Sequence, residues 1–163
     1  MEAVTRDVTD SDGIKGLEAV FQVEVPPDPL LDILWSPANF DRLFPDIEDA
    51  RVVREDERTT DVAYRIDAVV RPIQYVLSRA LDRKARTITW REIGGDLRRV
   101  RGGWSLEPCR GPSASRVTYS AFVDVGFFVP SGLVRNAAKR RLSEMVERVQ
   151  RVAVEIYAAR GAG

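Results

Sequence analysis

Three tyrosines and one arginine–glutamate pair are the residues of this sequence best suited to chemistry on a bound molecule. Tyr64, Tyr75 and Tyr119 each occupy a position that the alternation of a predicted strand directs inward. A buried phenol needs a hydrogen-bond partner, so these positions suit a wall that is apolar but orients a polar group. Arg79 and Glu92 lie at inward positions of adjacent predicted strands, where they would supply an acid and a base for proton transfer.

The chain contains no histidine and a single cysteine, Cys109, and both facts exclude kinds of site. Without histidine there is no Ser-His-Asp or Cys-His nucleophile system, and no histidine-containing zinc or iron centre. One cysteine cannot form an intramolecular disulfide, which fits a reducing compartment, and we interpret its thiol as structural. The sequence therefore predicts no metal site and no cofactor, and no motif in it identifies a catalytic residue.

The charge balance argues against polyanionic partners. Lysine and arginine number 25, aspartate and glutamate also number 25, and the formal net charge is zero. A surface without a net positive field attracts neither nucleic acid nor anionic membranes strongly. No run of about 18 apolar residues occurs, so stable membrane insertion is not expected. We therefore predict a cytoplasmic protein that binds no nucleic acid.

One long amphipathic helix, predicted over Ser131 to Arg160, organises the elements that would position these side chains. A strand over 16–25, two short helices and then consecutive strands joined by tight turns precede it, which is typical of an antiparallel sheet. The pattern predicts a flexible tail over 1–15 and one α+β domain over 16–160, in which a curved seven-stranded sheet wraps around the helix. The apolar stripe of the helix comprises Ala138, Leu142, Met145, Val149, Val152 and Ile156.

Several runs resemble START-like proteins of the SRPBCC superfamily, in the polyketide cyclase/dehydrase and lipid-transport group. The similarity covers about residues 16–159 and lies in the order and spacing of the runs rather than in any single one. The resemblance implies a helix-grip fold with a hydrophobic cavity under the C-terminal helix. The runs are Phe40-Asp41-Arg42-Leu43-Phe44-Pro45, Arg51-Val52-Val53, Thr87-Ile88-Thr89-Trp90, the Gly94-Gly95-Asp96 turn, Gly103-Trp104-Ser105-Leu106-Glu107-Pro108 and Val117-Thr118-Tyr119.

Strand alternation and the slim first half of the long helix predict which residues would line that cavity. Any one of them alone is better explained by a filled core, whereas the whole set favours a cavity. Trp104 is interpreted as structural packing, and residues 127–129 as part of an entrance hinge. The predicted ligand-binding residues are Tyr64, Ile66, Tyr75, Leu77, Arg79, Trp90, Tyr119, Ala121, Val134, Ala138 and Leu142.

Three functional hypotheses remain open from the sequence. The first is a binding protein for a lipophilic small molecule such as a lipid, a quinone or a polyketide-like ring system. The second, implied by the resemblance, is a polyketide aromatase/cyclase. In the cyclases of that group, an inward arginine assists the cyclisation chemistry. The matching positions here carry Tyr64, Ile66 and Ala68, which leaves Arg79 and Glu92 as the residues that would take over this role. The third is an interaction module like the START-like proteins of ribosomes or quinone assembly, and the neutral charge weighs against a ribosomal partner.

Overall fold

One antiparallel sheet and one long helix make up most of the computed structural model, which describes residues 3–44, 47–67, 72–111, 113–124 and 131–162. In these ranges the sheet has eight strands, in the order β1-β2-β8-β7-β6-β5-β4-β3. The strands are β1 (Val4–Thr9), β2 (Lys15–Val23), β3 (Ile47–Glu55), β4 (Thr59–Asp67), β5 (Pro72–Asp82), β6 (Thr87–Gly95), β7 (Arg99–Cys109) and β8 (Ala114–Asp124). The helices are α1 (Pro27–Trp35), α2 (Phe40–Leu43) and α3 (Ser131–Ala162), with a 3₁₀ turn at Pro37–Asn39 between the first two.

The predicted α+β architecture is confirmed, but the sheet has eight strands instead of seven. The extra strand is β1, which lies in the segment predicted to be a flexible tail and pairs antiparallel with β2, from Val4 opposite Val20 to Thr9 opposite Lys15. Its turn is held by Asp10, whose carboxylate accepts backbone hydrogen bonds from Asp12 at 2.9 Å and Ile14 at 2.8 Å. Most of β1 is exposed, so it shows none of the alternation that identifies a half-buried strand.

Alternation along the inner strands is as predicted. On β5, Ile73, Leu77, Arg79 and Leu81 are buried, whereas Gln74, which points the other way, is exposed. Because successive side chains of a strand point to opposite faces, this pattern places every second residue of β5 on the side of the sheet that faces the helices.

Helix α1 seals one end of the sheet. Leu30, Leu31, Ile33 and Leu34 are at most 1% exposed and belong to the same core as Phe21 of β2. Burial of each leucine stabilises the fold by about 1.5–3 kcal/mol. The proline-rich start suits a first helical turn, whose backbone N–H groups need no intrahelical acceptor, and Ser36-Pro37 ends the helix.

Helix α3 packs mainly against β2, α1 and α2. Of the predicted stripe, Leu142, Val149, Val152 and Ile156 are buried, whereas Ala138 and Met145 are only half-buried. Val146, Ala153 and Ala137 complete the buried face, so it is wider than the predicted stripe. Within the described ranges, no helix combines the length and the apolar character needed to span a bilayer.

Candidate ligand-binding cavity

A cavity of about 1350 Å³ lies between the first half of α3 and the inner face of the sheet. Strands β4 to β8 contribute one wall, α2 and the start of β3 a second, and residues from Arg135 to Arg151 of α3 the third. The lining also includes exposed residues of the β1–β2 turn, so the cavity opens to solvent beside that turn.

Nine of the eleven predicted residues line this cavity. The side chains of the other two, Ile66 of β4 and Val134 of α3, lie outside the described part of the structure, as do residues 127–129 of the predicted hinge. That these residues contact a ligand stays a prediction. The nine are Tyr64, Tyr75, Leu77, Arg79, Trp90, Tyr119, Ala121, Ala138 and Leu142.

Aromatic rings form a continuous wall of the cavity. Tyr64 stacks on Tyr75 with ring centroids 5.3 Å apart, and Phe40 lies 6.2 Å from Tyr64. At the other end Tyr119 lies 4.7 Å from Trp104 and 5.7 Å from Trp90. Offset and edge-on pairs of this kind stabilise by about 0.5–1.5 kcal/mol beyond burial, so the wall is expected to be rigid. Phe44 connects the two groups, at 5.8 Å from Phe40 and 6.1 Å from Trp104.

The hydroxyls of Tyr64, Tyr75 and Tyr119 have no hydrogen-bond partner among the described residues, and none of them is sealed from solvent. Burial raises the pKa of all three phenols, that of Tyr119 to about 12. Tyr64 raises the pKa of both other phenols further, since a phenolate beside another phenolate is disfavoured. The three groups are therefore neutral near pH 7 and present hydrogen-bond donors to the cavity.

Arg79 is the buried cation of this wall, with 4% of its surface exposed. Its Nη1 donates to the carbonyl of Trp35 at 3.1 Å, and its Nη2 donates to that of Leu34 at 3.0 Å. These carbonyls end α1, where the helix dipole places partial negative charge. The guanidinium carbon lies 4.8 Å from the ring centroids of both Trp35 and Phe40. Burial lowers the pKa of Arg79, with Tyr64 opposing, yet a guanidinium stays protonated at neutral pH.

The acid–base pair suggested by the sequence does not form. Arg79 and Glu92 make no ion pair with each other, although their strands are neighbours. Glu92 accepts a hydrogen bond from the backbone N–H of Val100 at 3.0 Å and does not line the cavity. Strand alternation placed Arg79 on the inner face of the sheet. Its hydrogen bonds to Trp35 and Leu34, which lie more than 40 positions earlier in the chain, leave no local sequence pattern.

Several lining residues were missed by the sequence interpretation. Trp104 shares the buried face of β7 with Val100 and Leu106 as expected, but it also lines the cavity. Phe40 and Phe44 come from the short second helix and its end, where strand alternation gives no guidance. The apolar runs of the two short helices were the signal for them, since such helices must cover one end of the sheet.

Gly102 makes room for one of the aromatic rings. It lies opposite Trp90 in the β6–β7 pair, and a Cβ at this position would come 2.2 Å from the backbone oxygen of Ser120 in β8 and 2.8 Å from Cζ2 of that indole. Contacts below about 3.0 Å are essentially never seen for a real Cβ, so any side chain here would displace Trp90. A glycine within a strand is typical of such a close approach.

Ion pairs line the outer edge of the opening. Asp7 of β1 binds Arg135 and lies 3.7 Å from Lys139, so the edge strand is linked to the start of α3. Arg135 holds the pKa of the Asp7 carboxyl below its usual value. Arg135, which also lines the cavity, is therefore already paired with a carboxylate of this chain.

No metal centre is evident in the part of the chain that the structure describes, where no three His, Cys, Asp or Glu side chains are grouped closely enough to hold an ion.

The chain belongs to the family described as polyketide cyclase/dehydrase and lipid transport, whose pattern matches residues 23–150. That family contains proteins that bind lipophilic molecules and proteins that cyclise polyketides, so membership gives the class of protein and not the ligand. Among curated proteins, no sequence matches this chain significantly.

Several solved structures share this fold. Human StAR-related lipid transfer protein 5 superposes with a TM-score of 0.78 at 10% identity, covering 95% of this chain and 83% of its own. The Zhui aromatase/cyclase from Streptomyces sp. R1128 has a TM-score of 0.62 at 18% identity, covering 92% of this chain and 88% of its own. A START superfamily protein from Mycobacterium smegmatis has a TM-score of 0.73 at 12% identity, covering 86% and 98%. At such identities these similarities establish the helix-grip fold alone.

Proposed function

We propose that this protein encloses a lipophilic small molecule in the cavity between the sheet and the first half of α3. The observation that carries the proposal is the cavity of about 1350 Å³ with its continuous aromatic wall. Ligand pockets typically occupy roughly 300–1,000 Å³, so this space, including its mouth, suffices for a lipid or a fused ring system.

The chemistry of the lining supports an apolar ligand. Leu77, Trp90, Ala121, Ala138 and Leu142 present carbon to the cavity, and apolar area removed from water contributes about 25 cal/mol per Å². The aromatic wall adds three phenols and the lining adds the buried guanidinium of Arg79, groups of the kind that orient a ligand inside such a pocket. Further charged side chains of the lining, among them Asp12, Lys15 and Glu147, are exposed.

Polyketide cyclisation is the second candidate, favoured by the neutral tyrosine hydroxyls, which are donors suited to the carbonyl groups of a poly-ketone. It is weaker because Arg79 is bound to the end of α1 and Glu92 to the backbone of β7. We therefore place carriage or sequestration first. Turnover of a supplied poly-β-ketone by the wild type, with loss of turnover in Tyr119→Phe, would reverse this order.

Ligand recovery tests the proposal directly. The protein is incubated with a bacterial lipid extract, repurified by gel filtration, extracted with organic solvent and analysed by mass spectrometry. We expect a lipophilic compound in near-stoichiometric amount, released again by unfolding in urea. A mock purification without protein controls for carry-over. If no compound is enriched and a neutral fluorescent probe such as 1-aminoanthracene also fails to bind, the proposal is wrong.

A further inference from the structure

The charge of Arg79 has no acidic partner in the described structure. Within the described ranges, no Asp or Glu lies at ion-pair distance from it, although only 4% of the residue is exposed to solvent. Its two hydrogen bonds go to neutral carbonyls, and its guanidinium lies against the rings of Trp35 and Phe40. Removing a charge from water is costly, and partial dipoles and aromatic faces offset that cost less completely than an anion does.

The guanidinium also has unused donors. Arginine carries five N–H groups, and two of them are taken by the carbonyls of Leu34 and Trp35. For the other three, the described residues provide no acceptor. Arg79 is one of the residues that line the cavity, so these donors belong to a side chain on its wall.

Tyr64 stands beside that cation. Its ring packs against Phe40, which also covers Arg79. The charge of Arg79 lowers the pKa of the Tyr64 phenol, although the larger effect of burial leaves that pKa raised. Tyr75 is stacked on Tyr64, and both phenols and Arg79 line the same cavity. The guanidinium can only donate, whereas each phenol can donate and accept, and among the described residues no hydrogen bond or ion pair joins an acidic side chain to any of the three.

We propose that the ligand is an acidic lipophile, whose carboxylate or phenolate-type oxygen is bound by Arg79 and the Tyr64 hydroxyl while its apolar part lies along the remaining aromatic wall. This inference rests on the proposed function and specifies its substrate class. An anion neutralises the buried charge and accepts from donors that otherwise lack a partner. A sterol-like alcohol or a hydrocarbon would leave the charge uncompensated.

A matched set of fluorescent ligands tests the requirement for an anion. The set comprises 1-pyrenebutanoic acid, its methyl ester and 4-(1-pyrenyl)butan-1-ol, which share one skeleton and differ at the polar end. Binding at pH 8 is followed by energy transfer from Trp90 and Trp104, which line the cavity. A hydrogen bond to a charged group contributes about 1.5–3 kcal/mol, so we expect the acid to bind roughly tenfold or more tighter than the alcohol and the ester.

Variants locate the contact. Tyr64→Phe keeps the ring that stacks on Tyr75 and removes the hydroxyl, so the preference for the acid over the alcohol should fall several-fold. Arg79→Met should abolish the preference and Arg79→Lys should restore part of it. Tyr157→Phe, at an exposed position far along α3 and outside the cavity lining, is the matched control and should leave the preference unchanged.

The possible results separate the two proposals. If acid, ester and alcohol bind the wild type equally, the acidic-ligand inference is wrong and the proposed lipophile-binding function stands. If none binds, both fail. Should Arg79→Met not fold, because it also loses its bonds to α1, the wild-type preference and the Tyr64→Phe result decide alone. An acid preference that survives both Arg79→Lys and Tyr64→Phe undiminished would place the anion elsewhere and overturn the assignment.

Discussion

The two halves of α3 have opposite surroundings. The second half, from Val146 to Ile156, packs into a closed core with α1 and β2, where Val149 and Ala153 are fully buried. The first half faces the cavity, and its Ala138 and Met145 stay half-buried for that reason. One continuous helix therefore anchors the domain at one end and forms the wall of an open space at the other. The closed core and most of the cavity lining on α3 therefore lie in different halves of the same helix.

Truncating one leucine of the closed core, Leu34 of α1, and one leucine of α3 that borders the cavity should give the largest difference. Leu34→Ala removes a fully buried side chain from the packed region, and we expect the free energy of unfolding to fall by about 3–5 kcal/mol. Leu142→Ala removes a buried side chain that borders the cavity, so fewer contacts are lost and about 2 kcal/mol is expected. Urea titration followed by circular dichroism measures both. Equal losses would contradict the division into a packed and a hollow half.

Enlarging one alanine in each half should separate stability from binding. Ala138→Phe adds a ring to the cavity, so the affinity for a pyrene ligand should fall at least about tenfold while the free energy of unfolding changes by about 1 kcal/mol or less. Ala153→Phe forces the same ring into a fully packed site and should destabilise by about 3 kcal/mol. Thermal unfolding and fluorescence titration of both variants check this. A strongly destabilised Ala138→Phe would mean that the cavity collapses in solution.

The smallest effect is expected at the ion pairs that join β1 to the hollow half. Asp7→Asn removes the contact with Arg135 and Lys139, and release of a bound ligand should become only roughly twofold faster, since exposed ion pairs are weak and screened by solvent. Because the folded-state pKa of Asp7 lies below its ordinary value of about 3.9, the contact persists from pH 7 to 5 and weakens only at lower pH.

Stopped-flow measurement of ligand release at pH 7 and pH 5 tests this, with the difference between Asp7→Asn and wild type expected to be equal at both. Asp28→Asn breaks a comparable exposed pair with Arg86, away from the cavity, and serves as the control. Equal acceleration by the two variants would assign the effect to general loosening of the fold.

Much of this arrangement could be predicted from the sequence, because burial imposes a period on it. Alternation along β5 placed Tyr75, Leu77 and Arg79 on the inner face, and helical spacing gave the long α3. Strand β1 was not predicted, because it is exposed on both faces and its sequence therefore has no apolar period. The hydrogen bonds of Arg79 to the end of α1 could not be predicted, because no local sequence pattern encodes a contact between distant segments.

The position of β2 in the sheet has a consequence for folding kinetics. Val23 at the end of β2 pairs with Ser115 of β8, so both short helices and strands β3 to β7 lie within the loop that this pairing closes. Strands β3 to β7 are joined instead by short connections to their neighbours and can form as a local meander. Non-local pairing is slow, and folding on the order of milliseconds to seconds is expected. Pulsed hydrogen exchange should then detect Lys15–Val23 as late-protected, after the strands that will form the wall of the cavity.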